Sequence, residues 1–187
     1  MGEERRREPY NKVRMTMVEQ QPGPWYTGVG SRRVPEGVVT QMELIARTMS
    51  KEGWCLRSGH AEGSDRAFEY AHSGRKEIYL AKHADQEAID MAMQYHGAPE
   101  RCSDYAKMLH GRNAYQVLGL ELNRPSSFVV CWTGDGCKTH EFRSIATGGT
   151  GTAISIAEQR GIMVFNLEVD KPKNVLEYAR SVKCQEQ

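Results

Sequence analysis

The sequence has no long apolar run and little net charge. No segment approaches the ~20 apolar residues that a membrane-spanning helix needs. Arginines at positions 5–7 with no apolar stretch behind them do not resemble a signal peptide. A formal net charge of +1 does not fit the strongly basic surface of a domain that coats nucleic acid. We therefore expect a cytoplasmic protein with no membrane partner.

Paired cysteine motifs are also absent. The five cysteines form no C-x-x-C pair, and their odd number argues against a disulfide framework. Cys131, Cys137 and His140 lie close in sequence, but structural zinc normally takes four ligands at tighter spacing. We interpret Cys131 as a buried thiol in a strand and predict neither a metal site nor a cofactor.

Patterns typical of strands and helices alternate along the rest of the chain. The continuous apolar run from Ser127 to Trp132 is typical of a central parallel strand. The alternation predicts an α/β, Rossmann-like fold with a mainly parallel sheet and helices on both faces. Strands are predicted at 25–30, 54–58, 76–81, 127–132 and 162–167. Helices are predicted at 36–52, 64–72, 84–95, 148–160 and 174–183, and one or two more at 102–122.

The domain limits follow from composition. Residues 1–24 are polar and charged and end in prolines, which predicts a flexible N-terminal tail. Residues 25–187 are predicted to form a single domain, which suits their number. The more polar stretch at about 82–123, which Pro99 divides, is predicted to be a helical insertion.

Three glycine-rich turns, at 27–33, 58–65 and 147–152, each stand between a predicted strand and the next helix. In a parallel sheet such turns meet at the carboxyl edge, where ligands bind. Glycine lets the backbone approach a phosphate, and a helix N-terminus supplies N–H donors. No turn has the Gly-Lys-Ser/Thr of a P-loop, and the G-x-G-x-x-G dinucleotide fingerprint fails at Arg33.

We therefore predict that a phosphate-bearing nucleotide binds at this edge. Arg112 and Asn113 could contact an anion or a base edge, with an exposed helix face as the alternative. Trp25, Tyr26 and Trp132 could stack on a base, although strand aromatics more often belong to the core. The predicted ligand-binding residues are Gly28, Gly30, Ser31, Arg32, Ser58, Gly59, Gly63, Asp65, Arg112, Asn113, Thr133, Gly148, Gly149, Thr150, Gly151 and Thr152.

The segment Ser58-Gly59-His60-Ala61-Glu62-Gly63-Ser64-Asp65, with Ala71-His72 one helix later, resembles the signature of the DNA-processing protein A (DprA, or Smf) family. Gly28-Val29-Gly30-Ser31-Arg32 resembles that family's first loop. Gly148-Gly149-Thr150-Gly151-Thr152 is more similar to the motif of the "Lonely Guy" phosphoribohydrolases. Both families belong to the Rossmann-like SLOG group, and the composite resembles most the small DprA-like proteins of bacteriophages. The resemblance covers about 25–168 without the helical middle, and it implies a nucleotide or single-stranded DNA as partner and a homodimer.

The departures from these families concern catalysis. The phosphoribohydrolases use a Glu three residues after the Gly-Thr pair, where this chain has Ser155, and Thr147 replaces their Pro. Asp65 and Glu69, which share one helix face, and Asp135, in the loop after the central strand near Glu141, are the candidate substitutes. Such a carboxylate could act as a base or stabilise positive charge on a sugar. The alternatives are a helix cap for Asp65, a solvated Glu69 and an ordinary turn at Asp135.

Three functions are compatible with these observations. The first is a small-nucleotide binder, with or without N-glycosidase activity. The second is a DprA-like mediator of recombination that binds single-stranded DNA. The third is a non-catalytic sponge or sensor of a signalling nucleotide. Salt-dependent binding would identify DNA, release of a free base would identify the enzyme, and tight binding without turnover would identify the sponge.

Overall fold

The structure, a computed structural model, describes residues 23–185, so the tail predicted at 1–24 lies outside it except for its last two residues. A five-stranded sheet, entirely parallel, has the strand order β3-β2-β1-β4-β5. Its strands are β1 (Trp25–Gly28), β2 (Cys55–Ser58), β3 (Lys76–Ile78), β4 (Phe128–Cys131) and β5 (Met163–Asn166). The predicted Rossmann-like α/β fold is confirmed.

Within residues 23–185, six α-helices cover the two faces of the sheet. They are α1 (Glu36–Lys51), α2 (Ser64–Ala71), α3 (Gln86–Met93), α4 (Asp104–Leu118), α5 (Thr150–Gln159) and α6 (Pro172–Gln185). Three short 3₁₀ turns connect them, at Ala81–His83, Pro99–Arg101 and Ile145–Thr147. Among the described residues, no helix is both long and apolar enough to cross a membrane.

Each face of the sheet has its own apolar core. On the first face, α1, α2 and α6 pack on the sheet, and Met42, Ile45 and Met49 of α1 are fully buried there. These residues recur at the helical spacing that the sequence shows, so the amphipathic stripe positions α1. On the second face, α4 and α5 pack on Val129 and Cys131 of β4. The alternate residues of β4 therefore supply both cores.

The helical segment between β3 and β4 decides the topology. The range 82–123, predicted as an insertion, contains α3 and α4 and carries the chain from β3 at the sheet edge, across the second face, to β4. The strand order therefore changes direction between β1 and β4. In open parallel sheets a ligand crevice forms outside the carboxyl ends of the strands at such a switch point.

Most element boundaries differ by a few residues from the sequence prediction, and two of these differences have a direct physical reason. The third strand was predicted to reach residue 81, but β3 ends at Ile78, whose pairing partner is Ser58, the last residue of β2. Because β2 is the only strand that pairs with β3 among residues 23–185, the ladder of β3 ends where β2 ends. Helix α6 begins at Pro172 instead of residue 174, since the fixed backbone angle of proline suits the first turn of a helix.

Candidate functional site

A cleft of ≈ 1040 Å³ lies at the carboxyl ends of the strands. Its walls come from the segments that follow β1, β2 and β3, from the start of α5, and from α4, which borders the opening between them. This is the location expected for a ligand at the switch point. The volume reaches the upper end of the range of about 300–1,000 Å³ that is usual for small-molecule sites.

The structure separates the predicted ligand-binding residues into two groups. The first group lines the cleft: Gly30, Ser31, Arg32, Gly59, Asp65, Arg112, Asn113, Gly148, Gly149 and Thr150. The second group lies behind its walls: Gly28, Ser58, Gly63, Thr133, Gly151 and Thr152. All three predicted turns contribute to the first group, so they meet in one place.

Residues of the second group hold the turns together. A Cβ on Gly28 would lie 2.5 Å from Cγ of Phe68, so this glycine permits α2 to pack on β1. Gly63 has φ +77° and lies against the carbonyl oxygens of Ser31 and Arg32, which joins the second turn to the first. Ser58 Oγ donates a 2.7 Å hydrogen bond to the carbonyl of Gly28. These contacts fix the shape of the cleft without facing it.

Asp65 is a buried carboxylate on the wall of the cleft. Only 2% of it is exposed, and its Oδ2 accepts a 3.2 Å hydrogen bond from Nε2 of Gln116. Burial raises the pKa of Asp65 to about 6, although Arg112 and Gln116 partly oppose the shift. A carboxyl group that titrates near neutral pH inside a cleft is typical of a catalytic acid or base.

Arg112 extends over the same carboxylate. Its Nη2 lies 3.8 Å from Oδ2 of Asp65, and its Nη1 donates a 3.1 Å hydrogen bond to the carbonyl of Gly59. Among the described residues, Nε of Arg112 and Oε1 of Gln116 are buried without a hydrogen-bond partner. Unpaired buried polar atoms are rare, and both residues line the cleft. The wall of the cleft therefore holds two buried polar atoms that have no hydrogen-bond partner among the described residues.

The third turn opens α5 toward the cleft. Nδ2 of Asn113 donates a 2.9 Å hydrogen bond to the carbonyl of Gly149 and so ties this turn to α4. Cβ atoms on Gly148 or Gly149 would meet nothing within 4 Å, so the turn borders free space. A helix N-terminus with an open approach is suited to an anion, because its N–H groups carry partial positive charge.

Charge in the cleft favours an anionic ligand. Arg32, Arg33, Lys82 and Arg112 line it, whereas the acidic residues of its lining, among those that the structure describes, are Glu62 and Asp65. The local excess of cations contrasts with the net charge of +1 over the whole chain. Positive charge focused in a concave site raises the local concentration of anions.

The other two candidate carboxylates lie outside the cleft lining. Oε2 of Glu69 is 2.7 Å from Nδ1 of His60, and its side chain is 13% exposed, so it is paired rather than solvated. Asp135 accepts hydrogen bonds from Ser144, Thr147 and Thr133, all within the loop after β4. The structure thus assigns Asp135 a place in an ordered turn.

The aromatic candidates for base stacking also lie outside the lining. Tyr26 is fully buried, and Trp132 is 8% exposed within the first core. The Trp25 ring lies under the guanidinium of Arg57, with 4.6 Å between Cζ and the ring centroid, beside a separate, smaller cavity. All three aromatic side chains therefore have structural roles.

Sequence reasoning missed several cleft residues. Gln116, Tyr105 and His110 of α4 and Lys82 all line the cleft. Gln116 was detectable, because it lies four residues after Arg112 and therefore on the same helix face. Burial lowers the pKa of His110 to about 4, so its ring is uncharged at neutral pH.

Replacement of Gly59 is expected to disrupt the Asp65 group, which consists of Asp65, Arg112 and Gln116. A Cβ at this position would lie 2.5 Å from Nε2 of Gln116 and 2.7 Å from Oδ2 of Asp65. We expect Gly59→Ala to lower the free energy of unfolding by about 1–3 kcal/mol, the usual cost of overpacking. Urea denaturation measures this change. Gly37→Ala, where a Cβ meets nothing within 4 Å, is the control, and equal losses in both variants would contradict the packing interpretation.

Replacement of Asp135 is expected to give a pH-dependent loss of stability. Some loss of hydration raises the pKa of Asp135, but hydrogen bonds from Ser144, Thr147 and Thr133 outweigh this effect and hold the pKa well below its usual range. A lowered pKa stabilises the fold at neutral pH, and this contribution disappears as the pH falls below the ordinary value of 3.8. We expect Asp135→Asn to cost only about 1 kcal/mol at pH 7, because the side chain is exposed and solvent screens it.

Urea denaturation of the wild type and Asp135→Asn at pH 7 and near pH 3 measures this difference. The two proteins should become more alike at the lower pH. A difference of the same size at both pH values would show that the carboxylate charge does not matter.

No protein-family model, characterised protein or solved structure matches this chain. The resemblance to DprA-like and Lonely Guy proteins therefore stays a prediction that depends on the motifs of the three turns. The function has to be argued from the geometry of the cleft.

Proposed function

We propose that this protein binds a phosphate-bearing nucleotide, or a ligand derived from one, in the cleft at the carboxyl edge of the sheet. The observation that carries the proposal is the convergence of three glycine turns, a helix N-terminus and four cationic side chains on one cleft. Each part alone is common in α/β proteins. Together they form a concave, cationic site that is large enough to admit a nucleotide.

The phosphate would lie at the start of α5, beside Gly148 and Gly149. There the backbone can approach closely, and the partial positive charge of the helix complements the anion. Arg32 or Arg112 could add charge-assisted hydrogen bonds. The sugar and base would extend along α4 toward Asp65 and Gln116, both of which line the cleft.

We further propose that Asp65 makes the site a nucleotide N-glycosidase. In this reaction the bond between the base and the anomeric carbon breaks, the oxygen of a water molecule bonds to that carbon, and the base leaves with a proton. The ionised Asp65 would take a proton from the water or stabilise the positive charge that develops on the sugar. Its burial and raised pKa support this role.

Ser155 cannot supply the carboxylate that the phosphoribohydrolase resemblance implies. Its side chain is buried in α5, where Oγ donates to the carbonyl of Gly151 and lies 2.9 Å from Nδ1 of His140. Asp65 belongs to a different helix, α2, and lines the cleft. The proposed catalytic group therefore comes from the DprA-like turn instead of the Lonely Guy-like turn.

Calorimetric titration of the full chain tests the proposal. The ligands would be nucleoside mono- and diphosphates, cyclic nucleotides and a short single-stranded oligonucleotide, each recovered afterwards for chromatography. Binding of a mononucleotide supports the proposed site, and free base in the recovered sample supports the enzyme. Intact ligand would indicate a sponge or sensor. Binding of the oligonucleotide alone, with an affinity that collapses in added salt, would replace the proposal with the DprA-like role.

The homodimer that the resemblance implies stays a separate prediction. Sedimentation of the same sample, with and without nucleotide, would test it.

A further inference from the structure

A cluster of potential metal ligands lies beside the cleft, separate from the Asp65 group. His96 follows α3, Cys102 follows the 3₁₀ turn at Pro99–Arg101, and His110 belongs to α4. The ligand atoms of the three side chains all lie within 4.8 Å of one another, and each residue is partly buried. The fold thus brings together three side chains that are separated in sequence.

The distances in the cluster fit a single ion. Sγ of Cys102 is 3.4 Å from Nε2 and 3.7 Å from Nδ1 of His96. Two ligands bound tetrahedrally to one zinc ion, with the usual zinc–sulfur and zinc–nitrogen distances, lie about 3.5 Å apart. The rings of His96 and His110 have centroids 4.9 Å apart and are steeply inclined to each other. Little movement is needed to place an ion among the three side chains.

A hydrogen bond from the protein orients one of the imidazoles. Nδ1 of His110 lies 2.7 Å from Oγ1 of Thr152 on α5. When Nδ1 donates to this hydroxyl, Nε2 of His110 is left unprotonated, as a metal ligand must be. Nδ1 of His96 accepts a 3.1 Å hydrogen bond from the backbone N–H of Ala98, so this nitrogen also carries a lone pair. An ion bound at Nδ1 would replace this hydrogen bond.

We propose that His96, Cys102 and His110 bind a divalent transition-metal ion of the zinc class. A thiolate with two imidazoles is a donor set that zinc prefers over calcium or magnesium, which take oxygen ligands. On binding, the thiol of Cys102 releases its proton to solvent and its sulfur bonds to the ion. Three protein ligands leave a fourth position for water.

A metal ion at the proposed site would connect two parts of the fold. The ion would tie the connection between α3 and α4 to α4 itself, at the wall of the cleft, where His110 is a lining residue. This differs from the sequence expectation of no metal and from the grouping of Cys131, Cys137 and His140. In the structure Cys131 is buried in β4, and Sγ of Cys137 donates a hydrogen bond to the carbonyl of Thr139. The proposal is independent of nucleotide binding.

Cobalt titration of the full chain, with any affinity tag removed and metal stripped by a chelator, tests the site. We expect one Co²⁺ per chain, a thiolate-to-cobalt charge-transfer band, and displacement of the cobalt by Zn²⁺. Cys102→Ser should remove the band and weaken Zn²⁺ binding by more than about 100-fold, beyond the effect usual for a group that only orients a ligand. Thr152→Val should weaken it by about 10- to 100-fold. Cys184→Ser, at an exposed cysteine, is the control and should change nothing.

Two results would overturn the proposal. One is a wild-type chain that gives no thiolate band and binds no stoichiometric metal. The other is metal binding that persists unchanged in both Cys102→Ser and His96→Ala. Circular dichroism of each variant distinguishes loss of ligands from loss of fold. Nucleotide titration of metal-free wild type keeps failure of this site distinct from failure of the proposed function.

Discussion

Gly149→Asp is expected to abolish nucleotide binding while leaving the fold intact. A Cβ at Gly149 meets nothing within 4 Å, and its backbone angles of −63° and −21° suit any residue. The new carboxylate would stand where we place the phosphate, at the N-terminus of α5. Hydrogen bonds to a charged group contribute about 1.5–3 kcal/mol each, so repulsion together with the loss of even one should weaken binding by more than about 100-fold.

Calorimetric titration measures the loss, and thermal denaturation provides the second readout. Aspartate is favourable at the start of a helix, so the melting temperature should stay the same or rise slightly. Gly37→Asp, near the start of α1 and equally free of contacts, is the matched control and should bind nucleotide like the wild type. Retained binding in Gly149→Asp would place the phosphate elsewhere.

The fold could be predicted because its signals are local. The apolar residues of β4 and the spacing of Met42, Ile45 and Met49 in α1 identify buried elements without knowledge of their neighbours. The order of the strands has no such signal. The role of α4 as the crossover between β3 and β4 depends on which strands pair, and that is decided by contacts between distant residues.

The candidate site could be predicted only in part, for a similar reason. Gly28 and Gly30 look alike in sequence, yet the first accommodates Phe68 and the second lines the cleft. Glycine serves close packing and ligand approach equally well. Asp65 and Glu69 likewise share a helix, but only Asp65 lies at the end of α2 that meets the cleft. Whether a residue faces a cavity or another side chain is a tertiary property.

Asp65→Asn is expected to slow base release strongly while nucleotide still binds. Asparagine preserves the shape of the side chain and removes the negative charge that would accept a proton or stabilise the sugar cation. General acid–base groups contribute about 10²- to 10⁴-fold to rates, and we expect a loss in that range. Glu69→Gln is the matched control, because this carboxylate pairs with His60 and lies outside the cleft lining.

The pH dependence of the wild type separates catalysis by Asp65 from a structural role. The pKa of Asp65 is raised to about 6, and the proposed role requires the ionised form. The rate of base release should therefore be level above this pH and fall about tenfold per unit below it. A rate that rises on acidification would make Asp65 a proton donor instead. Nucleotide binding lost to the same extent as turnover in Asp65→Asn would mean that the carboxylate shapes the cleft and takes no part in the chemistry.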